Sequence, residues 1–475
     1  MKKTLFMLFA TVVLSGCAIF SPADRTQSPV PLPEEYSLYE PSRGAPEEWW
    51  QTFQNEELNS LVATALSGNF DVQVAWARLK QARALAIKSG ATRLPSLDLD
   101  GGYTGQRSYQ QSSRDADHVL SETEKYSLGL AAQYELDLWG RIASSEKAAE
   151  LTAQASREDL EAAGITVAAS VVETWTDLMA VRAEISILAE QIKVNEMLSS
   201  LQELRFAKSM ASALDVTQQR GILAGSQAEL PLLQAQERVL LNKLAVLVGK
   251  APGTLRVRGG EIPELPGLPE AGLPADLLAS RPDVRAAGLR LHAADWEVSV
   301  ARADRLPALR LTGRAAYESG RFDLLFNNWV ASLTAGLTGP IFDAGLRRAE
   351  VDRTRAVAEE NLANYSKTVL SAVQEVEDSM ANEHHQREYI YRLQQRLTLS
   401  KEALSEARLR YLMGQSDYLR FLTELLNEQS LERNLSQERA KLVKYRVNLY
   451  RALGGDWTRR MTPEGLAPQT HVSAS

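Results

Sequence analysis

Five histidines are the first candidates for chemistry in this chain of 475 residues: His118, His292, His384, His385 and His471. Only His384 and His385 adjoin, on a charged segment of helical character. Neighbouring helical residues point about 100° apart, which suits a solvated face better than joint ligation of one metal ion. Eight methionines could offer soft thioether ligands to copper or silver. Met197, Met210, Met380 and Met413 form no cluster in the sequence, so packing is the better reading of them. Carboxylates such as Glu375 and Glu377 stand among other charges, the setting of a solvated helix rather than of acid/base work. There is no phosphate-cradling glycine loop and no nucleophile-elbow pattern. No catalytic residue, no metal and no dissociable cofactor is therefore expected.

The single cysteine invites a different chemistry. Met1-Lys2-Lys3 and the apolar run from Leu5 to Leu14 form a short secretory signal, which ends in Leu14-Ser15-Gly16-Cys17. That ending resembles a bacterial lipobox, in which the peptide is cut before the cysteine. The sulfur then takes a diacylglycerol, and the new amino group takes an acyl chain such as palmitate. An ordinary cleavage site would leave Cys17 without a purpose, since a lone thiol cannot close an internal disulfide. Each buried methylene adds about 0.8 kcal/mol, so a multiply acylated Cys17 holds firmly. Ala18 in the next position resembles lipoproteins sorted to the outer membrane.

The rest of the chain must position whatever this anchor holds. A composition that is 44% hydrophobic and 24% charged is globular. A formal charge of −7 argues against a nucleic-acid binder. No apolar run after the signal reaches the roughly 20 residues of a membrane helix. If the mature chain crosses a membrane, it does so as strands.

An internal repeat organises the sequence. Arg93-Leu94-Pro95-Ser96-Leu97-Asp98-Leu99 returns as Arg305-Leu306-Pro307-Ala308-Leu309-Arg310-Leu311, and upstream Asp71-Val72 matches Asp283-Val284. A second set of matches, about 205 residues apart, pairs Arg205-Phe206 with Arg410-Tyr411, and Gly249 with Gly454. Two similar halves of this length point to duplication rather than a solenoid. In each half a helical segment runs up to the proline and an alternating segment leaves it. Proline removes a backbone donor and pushes its predecessor towards extended geometry, so Pro95 and Pro307 are helix-to-strand hinges.

The alternation gives four strands. Leu97, Leu99 and Tyr103 oppose Asp98 and Asp100; Tyr126, Leu128, Leu130, Tyr134 and Leu136 oppose Lys125, Gln133 and Glu135. Leu309, Leu311 and Tyr317 oppose Arg310 and Arg314, and Trp329, Leu333 and Leu337 oppose Ser332 and Thr334. A polar loop from Arg107 to Glu124 joins the first two. Apolar on one face and wet on the other, such strands fit either a half-buried soluble sheet or a membrane barrel. The signal, the lipobox and the aromatic ends Tyr134, Trp139, Tyr317 and Trp329 favour the barrel. Four strands cannot close by themselves, so the chain must oligomerise.

The boundaries follow. Residues 1–16 are signal peptide, and 17–48 a lipidated, proline-rich arm. Residues 49–251 are the first repeat, with a hairpin over about 96–138 and long helices over about 140–249. Residues 252–274 are a linker. The second repeat is 275–456, with a hairpin over about 308–341 and helices over about 344–453. Residues 457–475 are a mobile tail. Ile165, Ala168, Val172, Trp175 and Met179 form one helical seam, and Leu178, Val181, Ile185, Leu188 and Ile192 another. Two seams mean a neighbour on each side. Pro231 is expected to kink its helix.

The lipobox, the run from Leu273 to Ala287 containing Ser280-Arg281-Pro282-Asp283, the segment Val300-Ala301-Arg302-Ala303, and Gly339-Pro340-Ile341-Phe342-Asp343-Ala344-Gly345 together resemble the NodT/OprM-type outer-membrane efflux lipoproteins, relatives of TolC. The likeness covers residues 14 to 456. It implies an α+β membrane protein: a trimeric 12-stranded outer-membrane β-barrel, four strands per chain, continuous with a long periplasmic coiled-coil barrel. The implied partners are two further copies, outer-membrane lipid, a periplasmic adaptor (membrane fusion) protein, and an inner-membrane pump of the resistance-nodulation-division class. The implied location is the outer membrane of a Gram-negative bacterium, lipid-anchored and reaching into the periplasm.

The resemblance also implies where the adaptor docks and the duct closes: two helix-to-helix turns, here Arg205-Phe206-Ala207-Lys208-Ser209 to Asp215, and Arg410-Tyr411-Leu412-Met413-Gly414 to Leu419. Ser209 departs from the usual glycine, which Gly414 keeps. Arg420 and Thr423 stand where acidic residues often line the constriction, with Asp215, Asp417 and Glu424 nearby. The expected function is passive conduction of small molecules, drugs and toxic compounds handed over by pump and adaptor. Contacts around Arg205, Tyr411, Asp215 and Arg420 would hold the tip closed. Two rivals are the same duct serving polypeptide secretion and a lipid-anchored periplasmic coiled-coil scaffold with no pore.

Overall fold

A computed structural model describes residues 20–22, 30–37, 48–110, 119–265, 267–268, 274–455 and 457–460. The signal peptide and the lipidation expected at Cys17 lie outside the described residues. Labelled in chain order, the main elements are α1 Glu56–Gly68, α2 Phe70–Ala91, β1 Ser96–Gln110, β2 Val119–Leu136, α3 Arg141–Ala207 and α4 Ala213–Leu247. There follow α5 Leu277–Ser280, α6 Pro282–Ala303, β3 Ala308–Ser319, β4 Trp329–Thr338, α7 Leu346–Leu412 and α8 Tyr418–Leu453. No described helix is long and apolar enough to cross a membrane.

The chain divides into two compact units. The first comprises Met1–Pro29, Arg78–Ser156 and Ala286–Ser366, and its centre is an antiparallel sheet in the order β1-β2-β3-β4. Leu99 pairs with Leu130, Leu130 with Ala315, and Ala315 with Ala331. This register gathers the alternating apolar residues on one face. Leu97, Leu99, Tyr103, Leu130, Trp329, Leu333 and Leu337 are all exposed there. The opposite face is a lattice of charge: Arg314 reaches Asp100 at 3.0 Å and Glu318 at 2.9 Å, Lys125 reaches Glu318 at 2.7 Å, and Arg310 reaches Glu135 at 3.2 Å. β1 and β4 are open edges.

The first hairpin is taller than the alternation suggested. The polar loop expected from Arg107 to Glu124 is partly strand, because pairing continues through Arg107–Glu122 to Tyr109–Leu120. Cross-strand charge and aromatic pairs carry the ladder onward, with Arg107 Nε 2.7 Å from Glu122.

The two hinges are the same turn. Leu94 N–H donates to the Ala91 carbonyl at 3.1 Å and Leu306 N–H to the Ala303 carbonyl at 3.0 Å, with Pro95 and Pro307 opening the strands. Trp139 Nε1 donates to the Pro307 carbonyl at 2.7 Å. A Cβ on Gly339 would fall 2.7 Å from Pro307 Cγ, so glycine is required at that approach. Asp137 accepts the N–H groups of Ile142 and Ala143 and so caps α3.

The second unit comprises Val30–Ala77, Arg157–Arg285 and Lys367–Ser475. Both seams expected on the first long helix are real: Ala168, Val172, Trp175 and Met179 are buried, and so are Leu178, Val181 and Leu188. α4 continues unbroken through Pro231. The joint of the second repeat is Arg281, which holds Asp283 at 2.7 Å, Glu375 at 2.9 Å and the Ala452 carbonyl at 3.0 Å.

At the end of α8, Tyr450 stacks on Trp49 with centroids 5.0 Å apart, and Trp457 meets Trp50 edge-on at 4.7 Å. The tail expected to be mobile from residue 457 therefore begins instead as a short 3-10 helix, Trp457–Arg460, with Trp457 buried. Burying an indole outweighs the lack of periodicity.

Candidate functional site

The two helix-to-helix turns of the second unit are built alike. Helices that end in a left-handed residue can bond their last carbonyls back to the two following amides. At the first turn Ser209 has φ 57°, Ser209 N–H donates to the Phe206 carbonyl at 2.9 Å, and Met210 N–H donates to the Arg205 carbonyl at 2.7 Å. At the second, Gly414 has φ 72°, its N–H donates to the Tyr411 carbonyl at 3.1 Å, and Gln415 N–H donates to the Arg410 carbonyl at 2.9 Å. Arg205, Phe206 and Ser209 are thus structural equivalents of Arg410, Tyr411 and Gly414.

The following helices are capped differently. Ser212 accepts from Asp215 N–H at 3.1 Å while the Asp215 carboxylate accepts from Ser212 N–H at 2.9 Å, a reciprocal box. The Asp417 carboxylate accepts from Arg420 N–H at 3.0 Å. Both carboxylates serve helix starts. The Thr423 hydroxyl bonds the Leu419 carbonyl, and the side chains of Arg420 and Thr423 are exposed. Arg410 pairs with Glu406 on its own helix at 2.7 Å.

Behind the second turn lies an aromatic cluster. Tyr411 stacks on Phe421 with centroids 5.7 Å apart and planes at 9°, and Tyr418 lies 5.5 Å from Tyr411. Leu422 and Leu425 complete it, with Leu198 of α3 and Ile222 of α4 packed against it. Arg205 holds its guanidinium carbon 4.7 Å from the Tyr411 ring centroid, a cation–π contact between the two turns. Gln202 Nε2 donates to Tyr411 Oη at 2.8 Å, Tyr418 Oη donates to Gln219 Oε1, and Gln219 Nε2 donates to the Asn195 carbonyl at 3.1 Å. Burial, then the neighbouring Tyr411 and Asp215, pushes the Tyr418 phenol well above its usual range, so it stays a donor.

Of the residues expected at the tip, the structure brings Arg205 and Tyr411 into contact across the turns. Asp215, Asp417, Arg420 and Thr423 stay with their own helix starts. Gln202, Gln219, Tyr418 and Phe421 were not foreseen. The spacing of Tyr411, Tyr418 and Phe421 was a visible signal for the aromatic three; nothing local marks the glutamines. No group of three or more metal-ligating side chains occurs among the described residues.

A charged-face sheet with open edges and twin long helical hairpins can be compared with known proteins. A sequence model described as outer membrane efflux protein matches residues 61–250 and 273–455. The chain belongs to that family. This efflux protein is 32% identical over 463 residues to the pyoverdine export outer membrane protein OpmQ of Pseudomonas aeruginosa, across 96% of this chain and 97% of that one. It is 31% identical over 420 residues to the outer membrane protein OprJ of the same organism, across 86% of each. Among solved structures, that of the outer-membrane channel OprN matches with a TM-score of 0.86 at 29% identity, covering 92% of this chain and all of the other. The protein is thus an outer-membrane efflux protein with the α+β fold of these channels, four strands to a chain.

Proposed function

We propose that three copies close their sheets into one twelve-stranded barrel and conduct solutes passively through it. One observation carries this reading: a four-stranded sheet with two unpaired edges, an exposed apolar face and a charged face. Open edges are unsupportable in hydrocarbon, and closure by copies of the same chain satisfies them. The strands have 10 to 18 residues, enough for the roughly 9–11 that a tilted membrane strand needs. The ion pairs of Arg314, Lys125 and Arg310 then line water.

Energy comes from partners, a periplasmic adaptor and an inner-membrane pump of the resistance-nodulation-division class, and the chain itself is no enzyme. The names of the relatives support small-molecule cargo over polypeptide secretion. The adaptor engages the two turns and shifts the tip between two packings of the hairpins. Acylated Cys17 anchors the assembly in the outer membrane, with no other cofactor.

Planar-bilayer recording on the purified protein tests the duct: discrete conductance steps are expected, and a protein that never conducts is the scaffold instead. Drug susceptibility of a deletion strain, complemented by wild type or Cys17→Ala, tests the cargo and the anchor. Restored resistance to several compound classes is expected from wild type.

A further inference from the structure

Above the aromatic cluster, α3, α7 and α8 enclose a groove of 550 Å³ within the second unit. α3 and α7 run towards their turns and α8 runs away, so position along each helix gives the groove a direction. Leu201, Leu404, Phe421 and Leu425 line the end nearer the turns, and Glu190, Glu428 and Glu432 line the end further away. The end nearer the turns is thus mainly apolar, with Arg408 one helical turn beyond Leu404, and the other carries the carboxylates.

Glu190 is held by Lys193 at 2.7 Å, whereas Glu428 and Glu432 share a single lysine. Lys401 Nζ stands 3.8 Å from Glu428 and 3.7 Å from Glu432, beyond hydrogen-bond reach of both. The Glu428 side chain is only 14% exposed while that of Lys401 is 53% exposed. A carboxylate so covered with its one cation as far off as 3.8 Å is costly, and a lysine so exposed leaves easily for water. Burial, with Glu432 beside it, raises the Glu428 carboxyl above its usual range, as that cost requires. Arg408 lines the same groove nearer the turns, so at the far end an anionic guest would face Glu428 and Glu432 with only the exposed Lys401 to hold it.

Size decides the kind of occupant. A helix following the same three turns would fill on the order of 1,300 Å³ at a diameter of about 10 Å. Small-molecule sites run about 300–1,000 Å³, and the groove falls among them. We propose that this groove binds a lipophilic organic cation, with its apolar body along Leu201, Leu404, Phe421 and Leu425 and its charged nitrogen between Glu428 and Glu432. This inference is independent of the duct, since binding is read without conduction.

The test is fluorescence anisotropy of rhodamine 6G with the full-length protein in lipid nanodiscs, corrected against empty nanodiscs, with anionic fluorescein as the counter-probe. Saturable binding of rhodamine 6G alone is expected. The pair Glu428→Gln with Glu432→Gln should raise its Kd at least tenfold, and Lys401→Met should lower it several-fold. Because Lys401→Met acts opposite to any loss of folding, it decides the matter even if the double variant is unstable. No saturable signal, equal binding of fluorescein, or a Kd that Lys401→Met leaves unchanged or raises would overturn the assignment.

Discussion

The first hairpin, α3 with α4, and the second, α7 with α8, turn through the same pair of backbone bonds, yet they are fastened differently. In the first, Arg182 pairs with Glu237 at 2.7 Å with both side chains partly exposed, and it also donates to the linker carbonyls of Val257 and Gly259. In the second, Arg446 is wholly buried against Glu383 at 2.6 Å and donates to the linker carbonyl of Gly267. Glu383 is further held by Arg387 at 2.7 Å. Behind the turns the contrast recurs: Phe206 is exposed, whereas its equivalent Tyr411 is buried in an aromatic cluster. The two hairpins share backbone geometry and differ in burial, so the second carries the larger energetic stake.

Removing one partner of each arginine pair tests that contrast most strongly. Glu383→Leu strands a buried guanidinium and should cost about 3–5 kcal/mol, seen as a large fall in the thermal midpoint followed by circular dichroism in detergent. Glu237→Leu should cost about 1 kcal/mol or less, as partly exposed pairs do. Arg446→Met added to Glu383→Leu should recover most of the loss, because no charge is then left buried alone.

Next in size is the cluster. Tyr411→Leu removes the stack on Phe421, the bond from Gln202 and the seat of Arg205, and should cost about 2 kcal/mol. Hydrogen exchange should show faster opening of residues around the second turn. Phe206→Leu at the equivalent exposed position should leave exchange nearly unchanged.

The turns themselves give smaller, opposite effects. Gly414→Ser forces a side chain into left-handed geometry at a cost of about 1 kcal/mol, while Ser209→Gly relieves it and should gain a similar amount. Thermal midpoints that move the same way in both variants would break the equivalence of the turns. Smallest is the cap: Ser212→Ala should lose about 1 kcal/mol or less, and the same assay reads it.

How far the sequence announces all this depends on how local each cause is. Pro95 and Pro307 act on their own neighbours, and alternation from Leu97 to Tyr103 states which face is apolar, so the helix-to-strand order and the two faces of the sheet were legible, while the channel architecture rested on the family resemblance of the runs around Arg281-Pro282-Asp283 and Gly339-Pro340. Ser209 becomes visible as a left-handed residue only when aligned with Gly414. Tyr411 with Gln202, and Trp457 with Trp50, are joined by tertiary packing across long stretches of chain, and no local pattern encodes them. Arg107 to Gln110 read as loop because polar residues hide a strand whose support comes from Glu122 and its neighbours on the partner strand.

Three-fold closure requires β1 of one copy to pair with β4 of the next. Cysteine pairs placed on these open edges, Leu99→Cys with a scan over Ala331, Leu333 and Ala335, test it in intact outer membranes oxidised and run on non-reducing gels. Covalent dimers and trimers from at least one pair are expected, with the same pair split between two coexpressed chains also cross-linking. Monomers alone at every pair, with the protein present in the membrane, would contradict three-fold closure.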